Sequence, residues 1–341
     1  MMRSAIGIEF SAPRRAAVVP RQVPEPREGE ALVRGRVSVV SAGTELLAYR
    51  GELPREVSLD DTIESLAGEA GYPLRYGYCV LGQVEAGPPE LRGRRVFAFA
   101  PHESLFVCPL GALVPVPDDI GDDDAVFLAH AETLVNLLHD GSPLAGEWIA
   151  ILGQGLVGLF LTATLSKMLP TRIAAVDPLG ERRSLAVREG AASVHHPEEL
   201  TPGLLRDLLG DDRRYPGFDL VYELSGNPSA ADQAVAVCGY SGRIVLGSWY
   251  GTKRVSLDLG GRFHRSRISI KSSQVSTIDP RLTGEFDKPR RFAVAWEMIR
   301  RIRPARFVSH RLPLSRGGEA YSLLEEAPEK TLTVLLDHQG D

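Results

Sequence analysis

The chain has 341 residues and a net charge of −5, with an isoelectric point of about 6.0. An acidic chain offers no basic field to nucleic acid, and no apolar run reaches the roughly 18 residues that span a bilayer. The length suits about two domains, and residues 1–10 lack the apolar core and cleavage site of a signal peptide. We therefore expect a cytoplasmic, two-domain protein with a small-molecule substrate, and neither nucleic acid nor membrane as a partner.

The cysteines of the chain are Cys79, Cys108 and Cys238, and no two of them show Cys-x-x-Cys spacing. A disulfide framework and a cysteine-rich zinc knuckle both need closely organised cysteines, so neither is indicated. We expect buried thiols at all three positions.

The pattern of the chain changes near residue 121. Before it, short strand-like runs are separated by Gly and Pro, as at 31–40, 82–86 and 95–100. After it, strand-like runs alternate with helical patterns, which is typical of a parallel sheet with crossover helices. Later strands are predicted at 218–224, 242–247 and 268–271, and two more strand-like runs close the chain.

A basic helix is predicted over about residues 291–301. We interpret it as a solvated or subunit-facing surface, because the chain as a whole is acidic. The arginines in and beside it are Arg290, Arg291, Arg300, Arg301 and Arg303.

The most specific motif is a glycine-rich turn between a strand predicted at 147–152 and a helix predicted at 156–169. The first glycine permits a sharp turn, the second lets the backbone approach a pyrophosphate, and the third lets the helix pack close to the strand. The helix N-terminus offers N–H groups to the phosphates. We predict a dinucleotide site that contains Gly153, Gln154, Gly155, Leu156, Val157 and Gly158.

Asp177 ends the next apolar run, 172–177, where an acidic side chain receives the ribose hydroxyls of NAD. A carboxylate there repels the 2′-phosphate of NADP, so we predict NAD(H) as the cofactor. Arg182 and Arg183 follow closely and could hold a phosphate, although solvated helix arginines are the simpler interpretation.

These landmarks resemble those of the medium-chain dehydrogenase/reductase family, the zinc-type alcohol and polyol dehydrogenases, over essentially the whole chain. The turn Ser41-Ala42-Gly43-Thr44-Glu45 is similar to that family's first catalytic turn. Residues 77–82 are similar to its Gly-His-Glu segment, and residues 93–96 to its Gly-Asp-Arg-Val strand.

The resemblance implies a fold of the α/β class with two domains. A GroES-like, β-rich catalytic domain is expected over residues 1–122 and 276–341. A Rossmann NAD(H)-binding domain with a doubly wound parallel sheet is expected over residues 123–275. Two turns of the latter would line the nicotinamide pocket through Ser225, Gly226, Gly247 and Ser248.

The family's catalytic zinc ligands are replaced in this sequence. Their positions hold Ala42, Tyr78, Cys79 and Ala129. Alanine cannot bind a metal, and one cysteine cannot supply the three protein ligands that a catalytic zinc needs. The four-cysteine structural zinc loop is also missing, since only Cys108 lies near its place. We predict a zinc-free member, the alternative being a substitute site built from Cys79, His102 and His130.

Without a Lewis acid, the reacting oxygen needs a proton donor or base within hydrogen-bond reach. Tyr78 replaces the ligand histidine, so its phenol should project into the pocket; the alternative is a core tyrosine that fills the space of the metal. Thr44 stands where the family places a relay hydroxyl, and its alternative role is to cap the following helix.

Three further residues are candidates for the catalytic site. His130 lies beside the missing third ligand and could act as an acid or base near neutral pH, or be a helix-surface or core histidine. His102 follows a strand and could reach substrate, although a loop role is the simpler interpretation. Glu45 could orient one of these groups or bind substrate hydroxyls, or stabilise a helix N-terminus without other function.

We predict an NAD(H)-dependent, zinc-independent alcohol dehydrogenase or ketoreductase that moves a hydride between nicotinamide and a secondary alcohol carbon. The Gly-Thr-Glu turn, the Gly-Tyr segment and the run 272–275 resemble dehydrogenases similar to the hydroxyethyl-bacteriochlorophyllide dehydrogenases, which implies a specialised biosynthetic substrate, polyhydroxylated or cyclic. The alternatives are a zinc-free quinone or enoyl reductase using NADPH, and a non-catalytic dinucleotide-binding protein.

Two expectations concern the surface. The strand at 268–271 should be the edge of the cofactor sheet, and members of the family often pair such edges, so we expect a homodimer. Residues 52–76 have no counterpart in the family pattern and are expected to form a lid or substrate wall. In that stretch, leucines and an isoleucine are interspersed with Glu56, Asp60, Asp61 and Glu64.

Overall fold

The computed structural model describes residues 2–54, 71–210 and 216–339. It divides into two compact units, Met1–Ala129 with Ile299–Asp341, and His130–Met298. The second unit therefore begins and ends later in the chain than the predicted range of 123–275. Most of the acidic stretch expected to form a lid, residues 55–70, lies outside the described residues.

The first unit is built mainly on antiparallel strands. β1 (Arg3–Ala12) and β2 (Arg15–Val23) form a hairpin that the sequence analysis did not identify. A second sheet has the order β14-β15-β3-β4-β5-β7, with β6 paired to β3. Its strands are β3 (Glu30–Val40), β4 (Val80–Ala86), β5 (Arg95–Ala98), β6 (Leu105–Pro109), β7 (Leu113–Pro115), β14 (His310–Pro313) and β15 (Val334–Asp337). The α-helices of this unit are α1 (Glu45–Arg50), α2 (Asp122–Ala125) and α9 (Gly318–Glu326).

The second unit contains a parallel sheet of order β10-β9-β8-β11-β12-β13. Strands of such a sheet are covered on both faces, which explains their nearly continuous apolar sequences. The strands are β8 (Trp148–Leu152), β9 (Arg172–Val176), β10 (Ser193–His195), β11 (Phe218–Glu223), β12 (Cys238–Leu246) and β13 (Ser269–Ser272). The helices are α4 (Leu156–Met168), α5 (Gly180–Arg188), α6 (Pro202–Leu209) and α7 (Pro228–Val237). Two further helices, α3 (Leu128–Gly141) and α8 (Lys288–Ile302), cross the boundaries between the units.

Short turns of other helical type connect these elements. They are 3₁₀ turns at Leu110–Ala112, Pro197–Glu199, Pro280–Leu282, Pro304–Phe307 and Leu314–Arg316, and a kinked π turn at Leu259–Phe263.

The first unit has an aromatic core that fixes α1. The ring of Phe10 packs edge-on against Tyr321 of α9, with centroids 4.9 Å apart, and Tyr321 stacks on Tyr49 of α1 at 5.5 Å. All three side chains are buried. Because α1 follows directly on the predicted catalytic turn, this packing sets the position of that turn.

The predicted fold class, a β-rich domain with a Rossmann parallel sheet, is confirmed. β13 is the edge strand of the parallel sheet, and its pairing in a homodimer stays a prediction. Across residues 2–54, 71–210 and 216–339, no helix is long and apolar enough to cross a membrane. The three cysteines all fall in this part of the chain, where each is buried and none forms a disulfide.

The interpretation of the basic helix as a surface is wrong for Arg291. Its side chain is fully buried, 0% exposed, and is paired with Glu132 of α3. Only the packing of α8 against α3 shows which arginine is buried. Helical periodicity cannot predict that Arg291 forms an ion pair with Glu132, which lies 159 positions earlier in the chain.

Candidate functional site

The glycine-rich turn has the geometry that a dinucleotide site requires. Gly153 has φ +98°, and a Cβ there would lie 2.7 Å from the backbone of Leu224, so only glycine fits. A Cβ on Gly158 would lie 2.0 Å from the carbonyl oxygen of Gly153, so α4 can approach β8 only with glycine at this position. A Cβ on Gly155, by contrast, would meet little beyond Arg182 Nη1 at 3.9 Å. The open space in front of Gly155 lies at the N-terminus of α4, where phosphates bind.

Asp177 is buried directly beside this turn. Its Oδ2 accepts a hydrogen bond from the backbone N–H of Gln154 at 2.8 Å, and its Oδ1 accepts one from the N–H of Leu179 at 2.9 Å. Arg183 donates to the carbonyl oxygens of Asp177 and Pro178 at 2.7 and 2.9 Å. The carboxylate is thus fixed against the glycine-rich turn, and Arg183 donates to the backbone.

The two turns predicted to line the nicotinamide pocket are joined to each other. The backbone N–H of Gly226 donates to Ser248 Oγ at 2.8 Å. Glu223, fully buried at the end of β11, accepts a hydrogen bond from the N–H of Ser225 at 2.8 Å and one from the phenol of Tyr250. Burial and the Glu223 carboxylate raise the pKa of Tyr250. This pair, a buried carboxylate and a partly buried phenol, ties the end of β11 to the segment that follows β12.

In the first unit, the predicted catalytic turn is organised around Glu45. Its carboxylate is fully buried and accepts three hydrogen bonds. The backbone N–H of Ser41 donates to Oε1 at 2.9 Å, whereas the phenol of Tyr321 and His102 Nε2 contact Oε2 at 2.8 and 2.9 Å. Burial and the charge of Glu45 raise the pKa of Tyr321 well above its ordinary value. Of the roles foreseen for Glu45, the geometry favours orientation of neighbouring groups.

His102 lies in a loop, as its simpler interpretation has it, and also belongs to this network. Its imidazole is fully buried, and Nδ1 contacts Ser38 Oγ at 2.8 Å while Ser38 Oγ contacts His338 Nε2 at 2.9 Å. A Cβ on Gly77 would lie 2.7 Å from His102 Cδ2, so the glycine makes room for the ring. A buried chain of hydrogen bonds therefore runs from His338 through Ser38 and His102 to Glu45.

Tyr78 lies at the other side of the same turn. Its phenol donates to Ser41 Oγ at 2.6 Å, and its side chain is only partly exposed. Burial, with smaller effects of Cys79 and Tyr76, raises the pKa of Tyr78 well above its ordinary value, whereas hydrogen bonds with Ser41 and Thr44 lower it in part. The phenol therefore stays protonated at neutral pH and is suited to donate a proton.

Thr44 is the N-cap residue of α1, but its side chain makes no capping hydrogen bond. The alternative interpretation of this threonine as a helix cap is therefore not supported. Its hydroxyl instead lies near the Tyr78 phenol and helps to lower the pKa of that group. Ser41, Thr44 and Tyr78 together form a cluster of three hydroxyls, which we call the hydroxyl cluster.

The residues at the family's zinc-ligand positions do not fit a metal. Cys79 is fully buried, and burial together with the charge of Glu45 raises the pKa of its thiol well above the ordinary value. Zinc binds the thiolate form, so this environment opposes coordination. Within the described ranges, no group of three or more His, Cys, Asp or Glu side chains could hold a metal ion.

His130 is buried in α3, and burial lowers its pKa to about 4. The imidazole is therefore neutral at pH 7, which argues against the predicted role as an acid near neutral pH. It belongs to the second unit, whereas the hydroxyl cluster belongs to the first.

This lowered pKa predicts a pH-dependent loss of stability. Between about pH 6.5 and pH 4, the unfolded chain binds a proton at His130 that the folded chain does not, so stability falls as the pH falls, by up to about 3 kcal/mol. Urea unfolding of the wild type and a His130→Gln variant across pH 5–7 should show a shallower pH dependence in the variant. Parallel curves would contradict the lowered pKa.

No family model matches the chain. The chain is 26% identical to the 2-desacetyl-2-hydroxyethyl bacteriochlorophyllide A dehydrogenase of Cereibacter sphaeroides, over 96% of each protein. Its relatives include dehydrogenases, and these comparisons support an oxidoreductase of the medium-chain dehydrogenase/reductase type. The predicted resemblance to that family is thus confirmed.

Solved structures show the same fold. An alcohol dehydrogenase of Escherichia coli CFT073, complexed with NADH, matches with a TM-score of 0.79 at 18% identity, covering 98% of this chain and 99% of that chain. A protein of Bacillus thuringiensis described as an NADPH:quinone reductase matches with a TM-score of 0.77 at 16% identity, covering 98% of this chain and 99% of that one.

Several residues of the site escaped the sequence analysis. Ser38, Tyr321 and His338 complete the buried network of Glu45, and Glu223 and Tyr250 join the turns after β11 and β12. Glu223 had a detectable signal, since a carboxylate that ends a buried parallel strand needs a polar partner. The other residues are ordinary members of strands or helices, and no local pattern distinguishes them.

Proposed function

We propose that the protein is a zinc-independent, NAD(H)-dependent alcohol dehydrogenase or ketoreductase that interconverts a secondary alcohol and a ketone. The observation that carries this proposal is the Tyr78 phenol, which is held by Ser41 Oγ at 2.6 Å at the position of the family's ligand histidine. A protonated phenol at this place can do what a metal does in the zinc-dependent members, namely stabilise the developing charge on the reacting oxygen.

Each residue of the hydroxyl cluster has a defined task in this proposal. Tyr78 donates its proton to the carbonyl oxygen as the ketone is reduced. The hydroxyls of Ser41 and Thr44 stabilise the resulting phenolate, consistent with their lowering of the pKa of Tyr78. Glu45 holds the backbone of Ser41 in place, and His102 holds Glu45.

The residues of the second unit fit a nicotinamide dinucleotide. The glycine-rich turn and the N-terminus of α4 would hold the pyrophosphate, and Asp177 the adenosine ribose. When bound, the cofactor supplies or takes up the hydride. The buried Asp177 carboxylate supports NAD(H), because it opposes the charge of a 2′-phosphate.

A specific observation also favours the alternative of an NADPH-dependent quinone or enoyl reductase. Arg182 Nη1 lies beside Gly155, where a guanidinium can approach a phosphate, and one structural neighbour is described as an NADPH:quinone reductase. The likeness to a hydroxyethyl bacteriochlorophyllide dehydrogenase instead supports a specialised cyclic alcohol as substrate. The choice of nucleotide separates the two functions.

The test is a calorimetric titration with NADH and with NADPH on protein whose zinc content has been measured. We expect tighter binding of NADH, at well below one equivalent of zinc. In an Asp177→Asn variant, the ratio of the NADPH and NADH dissociation constants should fall about tenfold, since the repulsion of the 2′-phosphate is lost. This ratio cancels any general damage to the turn, because both nucleotides share the pyrophosphate.

Asp207→Asn, an exposed acid on α6, is the matched control and should leave the ratio unchanged. A preference of the wild type for NADPH would overturn the NAD(H) assignment, and stoichiometric zinc would overturn the metal-free mechanism. Tight NADH binding without turnover of any secondary alcohol or ketone would favour the non-catalytic dinucleotide-binding protein.

A further inference from the structure

Arg291 of α8 is fully buried, and each of its five N–H donors has an acceptor. Nε and Nη2 donate to Glu132 Oε1 at 3.0 and 2.7 Å, and Nη1 donates to Asn136 Oδ1 at 3.1 Å. The remaining two donors contact main-chain carbonyl oxygens, those of Thr277 at 2.9 Å and Val275. The guanidinium thus joins α3 and α8 to the loop that follows β13.

That loop, residues 273–277, is held at two further points. Asn136 Nδ2 donates to Ser273 Oγ at 2.9 Å, and the N–H of Ser273 donates to the carbonyl oxygen of Leu246, the last residue of β12, at 2.8 Å. We call this segment the β13 loop. Its backbone is therefore fixed from its first residue to Thr277.

The position of the β13 loop indicates a function. It leaves the carboxyl end of β13, the edge at which open parallel sheets bind their ligands. In the sheet order β9-β8-β11-β12-β13, Asp177 follows β9 on one side of the glycine-rich turn, and the β13 loop lies on the other side, beyond the turns at 225–226 and 247–248. The adenosine ribose is assigned to the β9 side, so the β13 loop belongs to the nicotinamide side.

Stability alone is a poor explanation for this arginine. A buried ion pair stabilises a fold little more than well-packed apolar side chains do, and often less. An apolar residue at position 291 could fill the same volume, but it could not donate to the carbonyl oxygens of Val275 and Thr277. The arrangement is therefore suited to fixing the backbone of the loop.

We propose that Arg291 is a positioning residue for the cofactor, which holds the β13 loop as a wall of the nicotinamide end of the site. This inference rests on the proposed function, because it requires a nicotinamide dinucleotide in the second unit. It goes beyond that proposal in assigning a role to a side chain remote from the glycine-rich turn.

The test compares NADH with ADP-ribose, which has the adenosine, pyrophosphate and second ribose but no nicotinamide. In an Arg291→Met variant we expect NADH affinity to fall at least tenfold and ADP-ribose affinity to stay within twofold. A merely structural role would weaken both ligands alike, or neither. Arg290→Met, an exposed neighbour on the same helix, is the matched control and should bind both ligands as the wild type does.

Because Arg291→Met leaves the Glu132 carboxylate in the interior, a double variant Arg291→Met/Glu132→Leu removes both charges. We expect it to regain thermal stability without regaining NADH affinity. Wild-type NADH affinity in the double variant would overturn the positioning role.

A measurement on the unaltered protein covers the case in which the variants fold poorly. Backbone hydrogen exchange in the β13 loop should slow with NADH and not with ADP-ribose; equal effects of the two ligands would overturn the inference. Failure of the part of the proposed function on which this inference rests, nicotinamide dinucleotide binding, is distinguishable, since the wild type would then bind neither ligand.

Discussion

Replacement of Tyr78 by Phe should lower the rate of ketone reduction by about 10²–10³-fold, with little change in the affinity for NADH. The phenylalanine ring keeps the shape of the side chain but removes the proton that is held near Ser41 Oγ. The rate is to be measured with the first ketone that the wild type reduces in a screen of cyclic and polyhydroxylated ketones. Both steady-state turnover and NADH affinity should be determined, because only the former reports on the proton donor.

The neighbouring Tyr76 provides the matched control. Its ring packs edge-on against that of Tyr78, with centroids 6.4 Å apart, and it is buried. Tyr76→Phe should keep most of the activity. If Tyr78→Phe retained more than half of the wild-type rate, the proton would have to come from elsewhere and the proposed mechanism would be wrong.

The pH dependence of the reaction follows from the same environment. The pKa of Tyr78 is raised by burial, so its phenol stays protonated across neutral pH and the reductive rate should not fall at mildly alkaline pH through loss of this proton. In the oxidative direction the phenol must first lose its proton, so the rate should rise as the pH increases.

Replacement of Glu45 by Ala should destabilise the first unit by about 3–5 kcal/mol, the cost of removing one partner from a buried charged network. Three donors lose their acceptor in the dry interior: the N–H of Ser41, His102 Nε2 and the phenol of Tyr321. Each donor left without a partner carries its own desolvation cost. Urea unfolding followed by circular dichroism should show the first unit melting at lower denaturant.

Glu45→Gln distinguishes the charge from the hydrogen bonds. The amide keeps one acceptor oxygen and should lose less stability than Ala. Glu319→Ala is the control for carboxylate loss, because Glu319 pairs with Arg316 on the surface, where solvent screens the interaction. A Glu45→Ala protein as stable as this control would show that the buried network does not hold the turn at residues 41–45.

The two large effects are linked through Ser41. Its backbone N–H is held by Glu45, and its hydroxyl accepts from Tyr78. A variant at Glu45 that still folds should therefore also lose activity, since the acceptor of the Tyr78 hydrogen bond is displaced. Position 45 thus connects the stability of the first unit with the chemistry of the hydroxyl cluster.

The sequence by itself determined the features that depend on neighbouring residues. The spacing of Gly153, Gly155 and Gly158 after an apolar run predicted the turn between β8 and α4, because the requirements for a positive φ and for close packing are local. Asp177 followed from the same βαβ pattern. The alternation of strands and helices predicted the parallel sheet for the same reason, although the exact ends of the units were not predictable.

The tertiary structure alone decided which polar residues meet in the interior. The sequence around His102 is that of a loop, yet its imidazole contacts the carboxylate of Glu45, which lies 57 positions earlier in the chain. The phenol of Tyr321 contacts the same carboxylate although the two residues are 276 positions apart. In the sequence, nothing distinguished Arg291 from the neighbouring arginines. Only the packing of α8 against α3 buries its side chain beside Glu132. Burial of a polar group is tolerable only where a partner is brought to it, and the fold brings that partner from a distant part of the chain. A local sequence pattern therefore cannot predict such contacts between distant residues.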